Sequence, residues 1–367
     1  MPGTMVRPPG FNVQQMAARP VAVHWRGSLE AAMLVLSLLV LPCLAASDRV
    51  VSVADLHGDF GHAVAILRAA GLIEEGSNES LQGPDGRPFV RYKGARWIGG
   101  STTLVQTGDM VDRGTYARDL YALFADLRQQ AAAAGGQVVN LFGNHDLMNL
   151  QGDLRYVSPE DEADFGGAAA RRAAWAPTGW VGRQILEEFR AAFLAGDTLF
   201  VHAGLLPEHV EHGVDQLNEK FFKQLRVSLS GSWGANTELL KSTGPLWLRR
   251  FATGPEARIC SQVAKALELA GAKRMVLGHT QVDNGVVRLR CGGHLVMADT
   301  IISQDGYPMC WQPGSLQAEG CQGSLSYVEV RDGEAVAVRL PPAGGAEGEA
   351  LEVTPLPVKT PIGAGEL

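Results

Sequence analysis

The chain has 367 residues, 46% hydrophobic and 19% charged, with a formal net charge of −7. That composition belongs to a globular protein large enough to bury a sizeable core, which excludes a fibrous or wholly disordered chain. The acidic balance gives no general electrostatic reason to bind nucleic acid or anionic lipid, so phosphate binding has to come from a local site.

No acidic residue precedes Glu30, whereas Arg7, Arg19 and Arg26 do, and AAMLVLSLLVLPCLAAS follows at 31–47. An apolar run of this length with small residues at its exit reads as a targeting segment, secretory or organellar, plastid included. The basic lead is long for a simple signal peptide, so a transit sequence or a retained anchor stays open. The run is short for a membrane span. Residues 1–47 are set apart from the catalytic domain, and membrane contact is expected only through them.

From Arg49 onward, short apolar runs alternate with helical patterns, the signature of an α/β domain. The expected strands are 50–55, 102–109, 137–144, 198–204, 274–279 and 294–302, followed by a hairpin of 325–330 with 335–340 around Arg331-Asp332-Gly333-Glu334. Helices are expected at about 59–72, 116–134, 179–195 and 255–270, the last started by Thr253-Gly254-Pro255-Glu256. Two segments read as insertions: 74–100, in which RYKGARWIGG forms a small hairpin, and 155–178, a solvated loop or short helix near the site. Beyond Leu340 large apolar residues are sparse, and 341–367 reads as a disordered tail. Five cysteines are too few and too scattered for a disulfide framework. Cys310 and Cys321 flank a Pro/Gly-containing loop and either pair in an oxidising compartment or, with Cys260 and Cys291, stay reduced.

Five of the first six strands end alike, with polar residues just past the apolar run. The series is Asp55, His57 and Asp59; Asp109, Asp112 and Arg113; Asn144, His145 and Asp146; His202; and His279. Ligands gather at the carboxyl ends of strands in open α/β sheets, and independent turns have no reason to place an Asp, Asn or His at each. Such a nitrogen and oxygen donor set suits Mn, Fe or Zn. Two cations about 3.5–4 Å apart, bridged by a carboxylate, can clamp both oxygens of a displacement at phosphorus. Asp59 and Asp146 are equally well explained as helix N-caps or as partners behind the ligands. His24, His62, His209, His212 and His294 lie outside the series and default to solvated or packing roles.

DLHG, GDMVDRG, GNHD, HAG and GHT, in that order, resemble the motif series of the calcineurin-like metallophosphoesterases of the phosphoprotein phosphatase superfamily. GNHD, RWIGGSTTLVQTGDMVDRG and GPLWLRR make the chain most similar to the Shewanella-like protein phosphatases, over about residues 49–310. The resemblance implies a metallophosphoesterase-type β-sandwich flanked by helices, in a catalytic domain of residues 48–340. It also implies two divalent or trivalent metal ions, Mn, Fe or Zn. Asp55, His57 and Asp109 would hold one ion, and Asp109, Asn144, His202 and His279 the other. A hydroxide activated by the metal pair would attack phosphorus, with His145 as general acid held by Asp112 and with Arg113 and Arg249 on the phosphate oxygens. Arg250 is the alternative to Arg249. Asp299 and Tyr307 are further candidates near the C-terminal end of the resemblance.

The expected activity is hydrolysis of phosphomonoesters on a phosphoprotein or phosphopeptide, without nucleic-acid partners. A small-molecule phosphoesterase or dinucleoside polyphosphate hydrolase is the enzymatic alternative, since substrates vary within one fold. A phosphate-binding scaffold with a dead site is the non-enzymatic one. Serine/threonine against tyrosine preference and oligomeric state are not legible.

Overall fold

A computed structural model describes residues 49–74, 77–82, 88–231, 237–341 and 351–359, with the backbone alone for 77–82 and 88–93. All belong to one unit, Ser47–Leu367. The expected targeting segment lies outside the described residues. Among the described residues, no helix is long and apolar enough to cross a membrane.

Two mixed sheets carry the fold. In spatial order, the larger is Glu352–Pro355, Glu334–Arg339, Ser326–Arg331, Val50–Val53, Thr103–Gln106 and Gln137–Asn140. The smaller is Arg288–Arg290, Leu295–Met297, Arg274–Leu277, Thr198–Val201 and Ala192–Ala195. Central strands such as VVSV, TLFV and RMVL are buried at every residue, as parallel strands covered on both faces must be. Val51, Leu104 and Val139 of one sheet share a single hydrophobic cluster with Phe200, Val276 and Val296 of the other. The expected α/β sandwich is therefore the fold observed.

Val50–Val53, Thr103–Gln106 and Gln137–Asn140 run parallel to one another, as do Thr198–Val201, Arg274–Leu277 and Leu295–Met297. Parallel neighbours release their chains at the same edge, which brings the polar residues after each strand together. Helices supply the cover. Ala117–Ala133 buries Leu120, Phe124, Leu127 and Ala131 along one stripe, and Glu256–Ala270 stops at Gly271, whose φ of 68° provides the left-handed cap. Asp332 and Gly333, at φ 51° and 79°, close the expected C-terminal hairpin with the positive φ that a tight two-residue turn requires.

Several expectations fail in informative ways. The helix expected over 179–195 ends at Glu188; Ala192–Ala195 is a strand paired with Thr198–Val201, because Gly196 turns the chain at φ 55° and the Asn218 amide holds Ala191 and Ala192. RYKGARWIGG does not fold on itself: Ser77–Gln82 pairs with Pro88–Lys93 and Ile73–Glu74 with Arg96–Trp97 across the insertion. Helix Gly213–Leu229 was not read from the sequence, because its buried stripe is only Leu217, Phe221, Leu225 and two polar residues wide among many charges. The tail is not wholly unstructured. Glu352–Pro355 pairs with Glu334–Arg339, using backbone partners, and one buried anchor, Leu356, seats it. Four of the five cysteines pair, Cys310 with Cys321 and Cys260 with Cys291, the second bridging residues 31 apart that sequence alone does not bring together.

The 155–178 segment is more than a solvated loop. It forms helices Pro159–Asp164 and Ala168–Trp175, joined by a fully buried ion pair in which Arg171 Nε donates to Asp161 Oδ2 at 2.7 Å. Burial pushes the Asp161 carboxyl up to about 7 against the pull of Arg171. Phe165 and Trp175 rings face the guanidinium at 5.6 and 5.3 Å. Removing one partner of such a pair leaves an uncompensated buried charge, so Arg171→Met should cost about 3–5 kcal/mol in urea unfolding. Asp161→Leu in the same chain should recover much of that loss; no recovery would mean that Arg171 acts through packing alone.

Candidate metal centre

At the shared edge of the strands the chain runs through backbone conformations that side chains resist. His57, Asp109, Asp112, Arg113, His279 and Ile301 all have φ between 41° and 72°. Residues held there cost of order 1–3 kcal/mol each, so the surrounding structure has to over-determine them. It does so with a mesh of hydrogen bonds. The amides of Leu56 and His57 donate to the Asp109 carbonyl at 3.1 and 2.9 Å, and Asp109 N–H donates to Asp146 Oδ2 at 3.0 Å. Gly143 N–H reaches the same Asp146 oxygen at 2.7 Å, while Tyr121 donates its hydroxyl to the other.

Close approach explains the glycines beside the ligands. A Cβ on Gly143 would fall 2.0 Å from Asp109 Oδ1, and one on Gly278 would fall 2.2 Å from Asp55 Oδ1. Gly143 thus has a spacing role: it lets the strand end lie against an acidic side chain.

Asp109 sits at the centre, 2% exposed. Its Oδ1 accepts the His145 amide at 2.9 Å, and its Oδ2 lies 3.4 Å from His202 Nε2, 3.8 Å from His57 Nε2 and 4.0 Å from His145 Nε2. Ligand-competent atoms of His57, Asp109 and His145 lie within 4.8 Å of one another, as do those of Asp109, His202 and His279. Asp109 is common to both groups. His202 Nε2 is also 3.0 Å from Asn144 Oδ1. Asp55 belongs to neither group; both of its carboxylate oxygens accept the His279 amide, at 3.1 and 3.0 Å.

The donor set fits metal ions. His57 Nδ1 lies 3.0 Å from the Val111 carbonyl and His202 Nδ1 2.8 Å from that of Thr107. A carbonyl only accepts, so each Nδ1 carries the proton and each Nε2 is left facing Asp109. His279 Nε2 is buried without a partner. Burial holds His57 at about 3 and His279 at about 2, neutral imidazoles ready to ligate. Burial would lower His202 as well, but the carboxylates of Asp109 and Asp55 outweigh it and bring it to about 9. Burial, then Asp299, pushes Asp55 well above the usual carboxylate range, and burial with Asp109 brings Asp299 to about 6. Buried acids crowded against imidazoles are what a cation would relieve.

The remaining candidates line the approach. His145 Nδ1 lies 2.6 Å from Asp112 Oδ2, and Arg113 Nη2 is 3.4 Å from His145 Nε2. Arg249 donates to the His279 carbonyl at 3.1 Å, whereas Arg250 turns away to Gln262 at 2.6 Å. Asp59 caps the helix Phe60–Ala69 through His62 N–H and also accepts the Gln304 amide, tying in the segment that ends at Tyr307. Asp146 meets no imidazole; its oxygens serve Asp109, Gly143 and Tyr121. Tyr156 was not singled out in the sequence. Its ring and that of Tyr307 each lie 5.0 Å from the Arg113 guanidinium. Only the fold brings 156 and 307 to the same guanidinium.

The calcineurin-like phosphoesterase family matches residues 48–283. The chain is a calcineurin-like phosphoesterase. An uncharacterised protein of Schizosaccharomyces pombe is 34% identical over 68% of this chain and 72% of its own length. Shewanella-like protein phosphatase 2 of Arabidopsis thaliana is 29% identical over 71% of this chain and 74% of its own. Among solved structures, a cold-active protein-tyrosine phosphatase of a psychrophilic Shewanella shares the fold, with a TM-score of 0.61, 21% identity and coverage of 83% of this chain and 80% of that one. The resemblance read from the motifs is therefore a family relationship, and the phosphoesterase is an enzyme with a candidate site for divalent metals.

Two outcomes follow from the geometry of this phosphoesterase. Gly143→Ala should lose most bound metal by elemental analysis and most activity, since a methyl there displaces Asp109; unchanged metal content would show that Asp109 has room to move. In chelator, His202 held near 9 against about 6.5 unfolded stabilises the fold fully below pH ~6.5, and this is lost as pH rises through 9. That amounts to about 3 kcal/mol, a pKa unit being about 1.4. Denaturation at stepped pH in the presence of chelator reads it.

Proposed function

We propose that this phosphoesterase is a phosphoprotein phosphatase working with two metal ions. The observation that supports it most is Asp109 shared between two clusters of ligating atoms, one of which includes His145, with Arg113 beside it. Asp55, His57 and Asp109 would hold one ion and Asp109, Asn144, His202 and His279 the other. Bound there, such cations supply Lewis acidity toward phosphoryl oxygens and lower the pKa of water.

The chain's own residues do the rest. Arg113 offers a planar fork of donors to phosphoryl oxygens, with the Tyr156 and Tyr307 rings each 5.0 Å from its guanidinium. Arg249, anchored on the His279 carbonyl, adds a second cation at the rim. His145, with Nδ1 held by Asp112, presents Nε2 for proton delivery to the departing alcohol oxygen. The half-buried Tyr307 and exposed Tyr156 rings around that point give a substrate's own ring a surface to pack on, which supports phosphotyrosine over phosphoserine. The two disulfides support residence in an oxidising compartment, in line with removal of the leading segment during targeting.

The test is an assay of Mn²⁺-loaded protein on phosphotyrosine and phosphoserine peptides, aryl phosphates and dinucleoside polyphosphates in parallel. Phosphopeptide turnover is expected; turnover confined to dinucleotides, or none at all, would overturn the reading. His145→Ala should keep its metal and lose about 10²- to 10⁴-fold on alkyl phosphates. Loss of metal in that variant would make His145 a ligand instead.

A further inference from the structure

The helix Asn144–Leu150 carries a second buried polar residue one turn beyond His145. Asn149 is 3% exposed, and its Nδ2 donates to Asp112 Oδ1 at 2.9 Å and to the His145 carbonyl at 3.0 Å. Neither partner can donate, so the orientation of the amide is fixed. Its Oδ1 is buried with no partner. An unmet buried acceptor is a standing cost that an apolar residue of similar size would avoid, so the two N–H bonds are what the position is for. Asp112 itself is fully buried at φ 72°, and its other oxygen, Oδ2, meets His145 Nδ1 at 2.6 Å.

We infer that Asn149 is a positioning residue for proton delivery. It holds Asp112 by one oxygen so that the other accepts the Nδ1 proton of the doubly protonated His145, whose Nε2–H is thereby aimed at the leaving oxygen and is the proton delivered. The chain Asn149, Asp112, His145 gives the acid two successive supports, and the second spans a single helical turn back to the acid's own carbonyl. Without the amide, Asp112 turns about its side-chain bonds and the imidazole loses its fixed direction. Geometry at the proton-transfer step suffers, while metal binding and phosphate binding do not. This inference rests on His145 acting as the general acid.

The experiment compares wild type, Asn149→Ala, the similarly branched Asn149→Leu, His145→Ala and the Asn149→Ala/His145→Ala double variant, as full chains loaded with Mn²⁺. Substrates are phosphomonoesters graded from nitrophenyl to alkyl leaving groups, with metal content and melting temperature read alongside. Nitrophenolates depart without a proton, so their rates should stay near wild type in both Asn149 variants. Alkyl phosphates should slow about ten- to a hundredfold, the range for losing a hydrogen bond to a charged group. The double variant should be no slower than His145→Ala.

An equal loss on every substrate, or an additive double variant, would make Asn149 merely structural and overturn the inference, as would no change in either variant. If His145→Ala itself shows no leaving-group dependence, the general-acid reading fails and this inference with it. If His145→Ala shows that dependence and the Asn149 variants do not, this inference alone falls. Should Asn149→Ala melt below the assay temperature, Asn149→Leu, which leaves no cavity and no donor, carries the comparison.

Discussion

A negative charge held where water does not reach is the condition to which the rest of the molecule answers. Asp109 is held well below the usual carboxylate range because burial, which opposes its charge, is outweighed by His202 and His145. Each of those rings is delivered by a different segment, and each has to arrive at a few ångströms. That requirement explains the parallel strands ending at one edge, the left-handed residues at 57, 109 and 279, and the glycines at 143 and 278 that leave no room for a side chain. Strain of this kind is affordable only inside a rigid frame, and the fully buried central strands of both sheets provide one.

The supporting residues are less conspicuous than the ligands and equally specific. Asp146 never faces an imidazole, yet it ties the Asp109 loop to the Gly143 turn and is itself held by the buried Tyr121 hydroxyl. Tyr121 lies against Trp175 at 5.3 Å, so the helices of the 155–178 segment connect directly to the frame behind the centre. That segment also reaches forward: the Arg113 amide donates to the Tyr156 carbonyl at 2.9 Å. One insertion thus touches the centre from behind through Trp175 and from the mouth through Tyr156.

Much of this was legible in the sequence because period and punctuation are local. Runs such as VVSV and TLFV, each followed by polar residues, announce strands and their ends without knowledge of neighbours, and the order of the motifs carried the family. What sequence could not give depended on distant partners. Asn149 looks like a polar residue on a short helix until Asp112, 37 residues away, is placed opposite it. Tyr156 is a loop aromatic until Tyr307 arrives at the same Arg113 guanidinium. Cys260 and Cys291 show no spacing signal, and the 192–195 strand was hidden because Ala-Phe-Leu-Ala is compatible with a helix and only the Asn218 amide and the Gly196 turn decide otherwise.

The strand Glu352–Pro355 occupies the outer position of the larger sheet, alongside Glu334–Arg339. Were it missing, Glu334–Arg339 would present a row of unpaired amides and carbonyls, with the four apolar residues Ala335 to Val338 in its middle, to any passing chain. The segment therefore covers an edge of the kind through which sheets otherwise pair with one another. A domain cut at Leu340 would keep every group of the metal centre and still be the wrong boundary, because its liability would lie in solubility rather than catalysis.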